Sequence, residues 1–224
     1  MTLGLPAEIG KRLGILGGTF DPVHNGHLAV AEAAQKAFSL DAVVFVPAAL
    51  PPHKLDYNIS SFKDRLAMLK LAIAGHPGFF VSGLEGERLG PSFSVDTLTA
   101  LRRELAGGTE LFFIIGIDAF AEIATWKEYS VLPYLARFVV VNRPDQRMEQ
   151  VESLVGRNFS GFGFDWKAGC WQSRDGDARI YPLTMEPVPI SSTMIRQRLQ
   201  KGGSIADMVP REVGSFVRNH RLYS

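Results

Sequence analysis

Five short apolar runs, each separated from the next by a stretch with helical spacing, constrain this chain most. Residues 13–17 (Leu-Gly-Ile-Leu-Gly), 42–46 (Ala-Val-Val-Phe-Val), 111–115 (Leu-Phe-Phe-Ile-Ile) and 138–141 (Phe-Val-Val-Val) are continuous apolar segments, and Phe79-Phe-Val81 is a weaker one. A run that is apolar on both faces reads as a strand covered on both sides, which is the situation in a parallel sheet. Between the runs, residues 26–38 are Ala-rich, and residues 62–74 and 95–105 carry apolar positions at helical spacing. Strand, helix, strand, helix in this order predicts an α/β fold with a doubly wound parallel sheet and right-handed crossovers. Ligands of such sheets bind beyond the carboxyl ends of the strands, at a switch point. The turn after the first strand, residues 17–27, is therefore the first place to look for chemistry.

A chain of 224 residues suits a single domain with a substantial core. We read residues 11–185 as the α/β part and 186–224 as a small C-terminal helical part. There, Ser192–Gln200 is predicted helical with Ser and Thr at its start and Gly202-Gly203 after it, and Pro210 opens a last helix through about Arg218. Residues 156–176 hold two Trp, the one Cys and many Gly with no clear period. They are expected to form an irregular excursion or hairpin, with order resuming at Arg179-Ile-Tyr-Pro-Leu183.

Charge narrows the partners. Lys and Arg number 24 against 23 Asp and Glu, a net charge of +1, so bulk electrostatics favours neither nucleic acid nor a membrane surface. Any anion must be held by a local site. A single cysteine, Cys170, allows no internal disulfide and fits a reducing compartment. No apolar run approaches the ~18 residues of a membrane span, and the first twelve residues lack the order of a signal peptide. A soluble cytoplasmic protein is expected. Oligomeric state is open.

Two constellations carry chemistry. In Gly17-Gly18-Thr19-Phe20-Asp-Pro-Val-His24-Asn-Gly26-His27, a glycine-rich turn leads from a strand into a helix. Backbone N–H groups and the positive end of the helix dipole meet there. His24 and His27 fall on one side of the helix start, and Gly26 between them leaves room for a flat group. Imidazoles beside backbone amides suit nucleotide phosphates. Two histidines three apart are more often a surface pair, or a capping and a core histidine. A zinc site is disfavoured, because no third ligand stands at zincin spacing and the Glu of His-Glu-x-x-His is missing. The second constellation, Ile190-Ser191-Ser192-Thr193-Met-Ile-Arg196, places hydroxyls, free amides and a guanidinium at another helix start, an arrangement suited to an anion. Alone it would be a plain N-cap with a solvated arginine.

Together these motifs resemble the nucleotidyltransferase superfamily, whose His-x-Gly-His corresponds to that of class I aminoacyl-tRNA synthetases. The longer Gly-Gly-Thr-Phe-Asp-Pro-Val-His form is similar to nicotinate-nucleotide adenylyltransferases, and so are Pro51-Pro-His53-Lys54, Pro91-Ser-Phe-Ser94-Val-Asp-Thr-Leu98 and Gly116-Ile-Asp118 with the downstream Trp126. The likeness runs from about Gly14 to Tyr223. It implies a Rossmann-like sheet and adenylyl transfer from ATP to nicotinate mononucleotide, giving deamido-NAD and pyrophosphate, with Mg²⁺ entering bound to ATP and no dedicated metal ligands. On this resemblance His24, His27 and Arg196 are catalytic. Gly17, Gly18, Thr19, Phe20, Gly26, Asp118, Asn142, Arg143, Ile190, Ser191, Ser192 and Thr193 join them in binding ATP, and His53, Lys54, Ser94 and Trp126 bind the mononucleotide.

This chain departs from the pattern at Ala48-Ala49, where relatives carry Asn, and at Lys127, where an aromatic residue often follows the Trp. The contacts that those side chains make in relatives are not carried over to this chain, while backbone contacts at the same places are expected to survive. The rival readings are adenylyl or cytidylyl transfer to another phosphate acceptor such as nicotinamide mononucleotide or phosphopantetheine, a non-catalytic nucleotide-sensing module, and an RNA-binding synthetase fragment. Near-neutral charge and the lack of a tRNA-binding extension weigh against the last.

Overall fold

The computed structural model describes residues 5–6, 9–51, 59–105, 107–142, 148–186 and 188–223. Strands β1 (Arg12–Gly18), β2 (Ala42–Pro47), β3 (Phe79–Val81), β4 (Glu110–Gly116), β5 (Arg137–Asn142), β6 (Phe162–Asp165), β7 (Cys170–Ser173) and β8 (Arg179–Thr184) form one sheet in the order β3-β2-β1-β4-β5-β8-β7-β6. Every pair among β3, β2, β1, β4, β5 and β8 is parallel, while β7 pairs antiparallel with both β8 and β6. The five predicted strands are all present, each within a residue of its expected ends.

Alternate residues of each strand enter two different cores. Leu13, Ile15, Val44, Phe113, Phe138 and Val140 face one side, and Leu16, Val43, Phe45, Phe112, Ile114 and Val139 face the other. The first side is covered by α3 (Ser94–Glu104), α5 (Leu132–Leu135) and α6 (Met148–Asn158). On the second side lie α1 (Asn25–Phe38) and α2 (Phe62–Ile73). Fully buried Ala31 and Ala34 make up the inner face of α1, so that helix can approach the sheet closely. A short α4 (Ile117–Ala121) follows β4 directly.

Helix α7 (Ser192–Gln200) begins and ends where the sequence places it, and Pro210 caps α8 (Arg211–Asn219). Neither builds a core of its own. Ile195, Ile205, Met208, Val213 and Val217 are buried in the same cluster as Phe20, Leu28 and Met68. The stretch at 156–176 resolves into two parts: its first residues finish α6, and the remainder is the β6–β7 hairpin, which lengthens the sheet. Among the described residues no helix is long and apolar enough to cross a membrane.

Because β1, β2, β4, β5 and β8 run the same way, the segments that follow them emerge on one edge. Chain order reverses between β1 and β4, so this edge carries the switch point.

Candidate active site

The turn after β1 is held in an uncommon backbone conformation. Phe20 has φ 53°, a left-handed value that costs a non-glycine residue about 1–2 kcal/mol, and Asp21-Pro22 is cis. The Phe20 ring is buried against Phe45 and stands edge-on to His27 at 4.9 Å. It therefore shapes the imidazole's wall, and only its backbone is placed to meet a ligand.

His24 is the N-cap of α1 and its backbone N–H donates to Nδ1 of His27 at 3.2 Å. An accepting Nδ1 carries no proton, so a neutral His27 bears its hydrogen on Nε2 as a donor. The two rings stack at 3.7 Å between centroids. His24 is itself buried, and loss of water holds its pKa down to about 4. It is thus uncharged at neutral pH. Its ring takes part in a capping box with the start of α1, and among the described residues its buried Nδ1 has no partner at full hydrogen-bond geometry. A side-chain carbon added to Gly26 would lie 3.0 Å from that nitrogen and 3.7 Å from the Ile190 carbonyl oxygen. The missing side chain keeps open the gap between the two motifs.

Those motifs do converge. Ser192 Oγ donates to the Pro22 carbonyl at 2.9 Å, and Arg196 Nη1 donates to the Asp21 carbonyl at 2.7 Å. A second Arg196 nitrogen reaches Thr193 Oγ1 at 3.2 Å, leaving other guanidinium donors for a ligand. Ser191 Oγ accepts from Met194 N at 3.1 Å and so caps α7. Asp21 is the hub of the region: Tyr223 OH donates to Oδ1 at 2.5 Å and Ser60 N to Oδ2 at 3.3 Å.

The remaining expected residues lie along the same edge. Gly17 and Gly18 end β1, Asp118 is exposed in the first turn of α4, and Asn142 ends β5 and is buried. Ser94 opens α3 half-buried, and half-buried Trp126 sits edge-on to Phe113 at 6.3 Å. No direct contact joins Trp126 to His24 among the described residues, but bonded segments connect them. Lys127 forms an ion pair with Asp96 of α3 at 3.1 Å and lies over the Phe93 ring at 5.1 Å, so it fastens the Trp126 segment to the start of α3. Ser92 Oγ in turn accepts from Ala49 N and Leu50 N at 2.9 and 3.2 Å. His53, Lys54 and Arg143 lie outside the described residues.

One expectation is corrected here. The backbone amides at Ala48 and Ala49 are not available to substrate: Ala48 N donates to Gly18 O at 2.9 Å and Ala49 N to Ser92 Oγ. The loop satisfies these main-chain groups internally.

Reading the motifs alone misses Asp21, Tyr223, Ser92 and Arg65. For Arg65 a signal existed. It shares the buried stripe of α2 with Met68, Leu69 and Ala72, positions spaced 3, 4 and 7 along the helix, where a charged residue needs an explanation.

The depressed His24 pKa has a consequence for stability. Unfolded, the imidazole takes up a proton near its ordinary 6.5; folded, it does so only near 4. Between those values the unfolded chain binds more protons, so this contribution is full above pH 6.5 and is lost as pH falls through the window. The urea midpoint should therefore drop between pH 7.5 and pH 5, and drop less in His24→Gln. Parallel curves for the two proteins would contradict the assignment.

Residues 15–198 match the cytidylyltransferase-like family model. A protein of Geobacter sp. (strain M21) named "Probable nicotinate-nucleotide adenylyltransferase" is 43% identical, with 95% of this chain and 98% of that protein covered. One of the same name from Desulfatibacillum aliphaticivorans is 42% identical over 95% and 99%. In three dimensions, the chain superposes on Plasmodium falciparum nicotinic acid mononucleotide adenylyltransferase complexed with NaAD with a TM-score of 0.73, covering 96% and 98% of the two chains. At 20% identity that likeness speaks for the fold. Sequence, fold and converging motifs together make this chain a member of the nicotinate-nucleotide adenylyltransferases, within the cytidylyltransferase-like family.

Proposed function

We propose that the cleft between the α1 and α7 N-termini binds ATP and transfers its adenylyl group to nicotinate mononucleotide, a step of NAD biosynthesis carried out in the cytoplasm. The observation that carries this reading is the gap over Gly26. The place a Gly26 side chain would take is 3.0 Å from His24 Nδ1 and 3.7 Å from the Ile190 carbonyl, which leads into the α7 motif.

A phosphate oxygen of the mononucleotide attacks the α-phosphorus of ATP in line. The bond from that phosphorus to the bridging oxygen of the β-phosphate breaks, and pyrophosphate leaves with the electron pair. The substrate phosphate is already an anion, so no protein nucleophile is required. Catalysis is positioning plus stabilisation of charge. In this reading, neutral His24 and the Nε2–H of His27 donate to the phosphates, while Ser192 and Arg196 hold the triphosphate from the α7 side. Mg²⁺ bound to the triphosphate supplies neutralisation of phosphate charge. Imidazole, hydroxyl and guanidinium donors fit the oxygens of such a complex rather than a bare cation.

The direct test is pyrophosphate release from ATP with nicotinate mononucleotide, nicotinamide mononucleotide and phosphopantetheine in turn. Turnover with the first is expected to be fastest, and turnover only with the last would overturn the reading. We place the pyridine ring against Trp126. Trp126→Ala should raise KM for the mononucleotide about 10-fold or more, the scale of a lost ring stack, with KM for ATP little changed. Equal loss of both would instead indicate a misfolded protein.

A further inference from the structure

Arg65 is buried to 1% exposure, yet among the described residues no carboxylate lies within ion-pair distance of it. Its guanidinium is surrounded by main-chain carbonyls. Nη1 donates to Thr19 O at 2.8 Å and to Ala48 O at 2.7 Å, Nη2 to Ala49 O at 3.3 Å, and Nε to Ser60 O at 3.0 Å. These oxygens come from the segment after β1, the segment after β2 and the lead into α2. Burying a charge is costly unless it is fully hydrogen-bonded, and a methionine or leucine would fill the same place in the stripe.

The planes of the bonded peptides show what the arrangement does. A trans peptide points its C=O and the following N–H in opposite directions. Ala48 O and Ala49 O face Arg65, and the N–H groups of the same two peptides, those of Ala49 and Leu50, face Ser92 Oγ on the other side. Both planes are held from both faces. The Thr19–Phe20 peptide is held in the same way on its carbonyl side, so the Phe20 N–H is directed away from the buried guanidinium. It is held immediately before a residue whose φ is 53°. A planar group with five fixed donors can meet four carbonyls at once, whereas an ammonium offers three donors from a single point.

We infer that Arg65 is a positioning residue that locks the loops after β1 and β2 into one unit, so that the ATP side and the mononucleotide side of the cleft keep their register. This rests on the adenylyltransferase reading above.

Arg65→Lys keeps the charge and loses the fork. It should lower kcat/KM for pyrophosphate release about 10²-fold, the scale of a small misplacement of reactants, while retaining a cooperative thermal transition. Ser92→Ala frees the same two peptides from the opposite side and should raise KM for the mononucleotide about 10-fold. Arg65→Lys with wild-type kcat and KM, or with activity lost only in proportion to the folded fraction, overturns the inference. Should Arg65→Lys not fold, unchanged kinetics in Ser92→Ala overturn it equally. Wild-type protein that neither releases pyrophosphate nor binds a non-hydrolysable ATP analogue by calorimetry would instead sink the adenylyltransferase reading, which separates the two failures.

Discussion

His24→Ala should lower kcat by roughly 10²–10³, the range for removing one donor to charge that develops in a transition state, while KM for ATP changes far less. The expectation follows from the way the ring is held. Stacking on His27 and burial leave the His24 imidazole little freedom and keep it neutral, so it does not reorganise as the reaction proceeds. Alanine also removes a wall from His27, so His24→Gln is the companion variant: it restores a donor on a side chain of similar reach. Partial recovery of kcat in His24→Gln assigns the effect to hydrogen bonding. Stopped-flow measurement of pyrophosphate release gives the chemical step directly, and an unchanged rate in the alanine variant would remove His24 from the mechanism.

Arg196→Ala should reduce kcat/KM for ATP by about 10- to 10²-fold, corresponding to a charge-assisted hydrogen bond of about 1.5–3 kcal/mol. Two effects combine here. The guanidinium is lost to the triphosphate, and the Asp21 carbonyl loses the donor that ties the first loop to α7. Arg196→Lys separates them. Lysine supplies a charge but cannot reach Thr193, the Asp21 carbonyl and a phosphate with one planar group, so it should recover ATP affinity only in part. Calorimetric titration with ATP is the measurement, and wild-type affinity in Arg196→Ala would take the α7 motif out of the site.

Local rules carry the sequence reading a long way. Continuous apolar runs locate β1, β2, β4 and β5, because strands covered on both faces need no polar side. The capped helix α7 is legible from Ser191 and Gly202. What escapes depends on distant partners. The β6–β7 hairpin has four-residue strands interrupted by Gly163, too short for a period to emerge, and it is stabilised by pairing with β8 and by Trp171, Phe162 and Phe164 packing against the core. Helix α6 shows just Val151, Leu154 and Val155 to the core, a narrow stripe. At the site, the histidines, Gly26 and Arg196 are visible as motifs. Asp21, Ser92 and Tyr223 are ordinary polar residues until the fold makes them neighbours. The Ala48-Ala49 departure is the instructive case, since its effect on the backbone depends on Ser92 and Arg65, neither of which is adjacent in sequence.

The clasp on the first loop also bears on when this enzyme acquires its nucleotide site. Its ties bridge 170, 175 and 202 positions of sequence, and ring closures of that span are late events in folding. During synthesis, β1 and its turn leave the ribosome first and wait for residues 192, 196 and 223 before they are secured. An unfinished chain thus carries the glycine-rich turn without the Ser192, Arg196 and Tyr223 groups that fasten it in the finished fold.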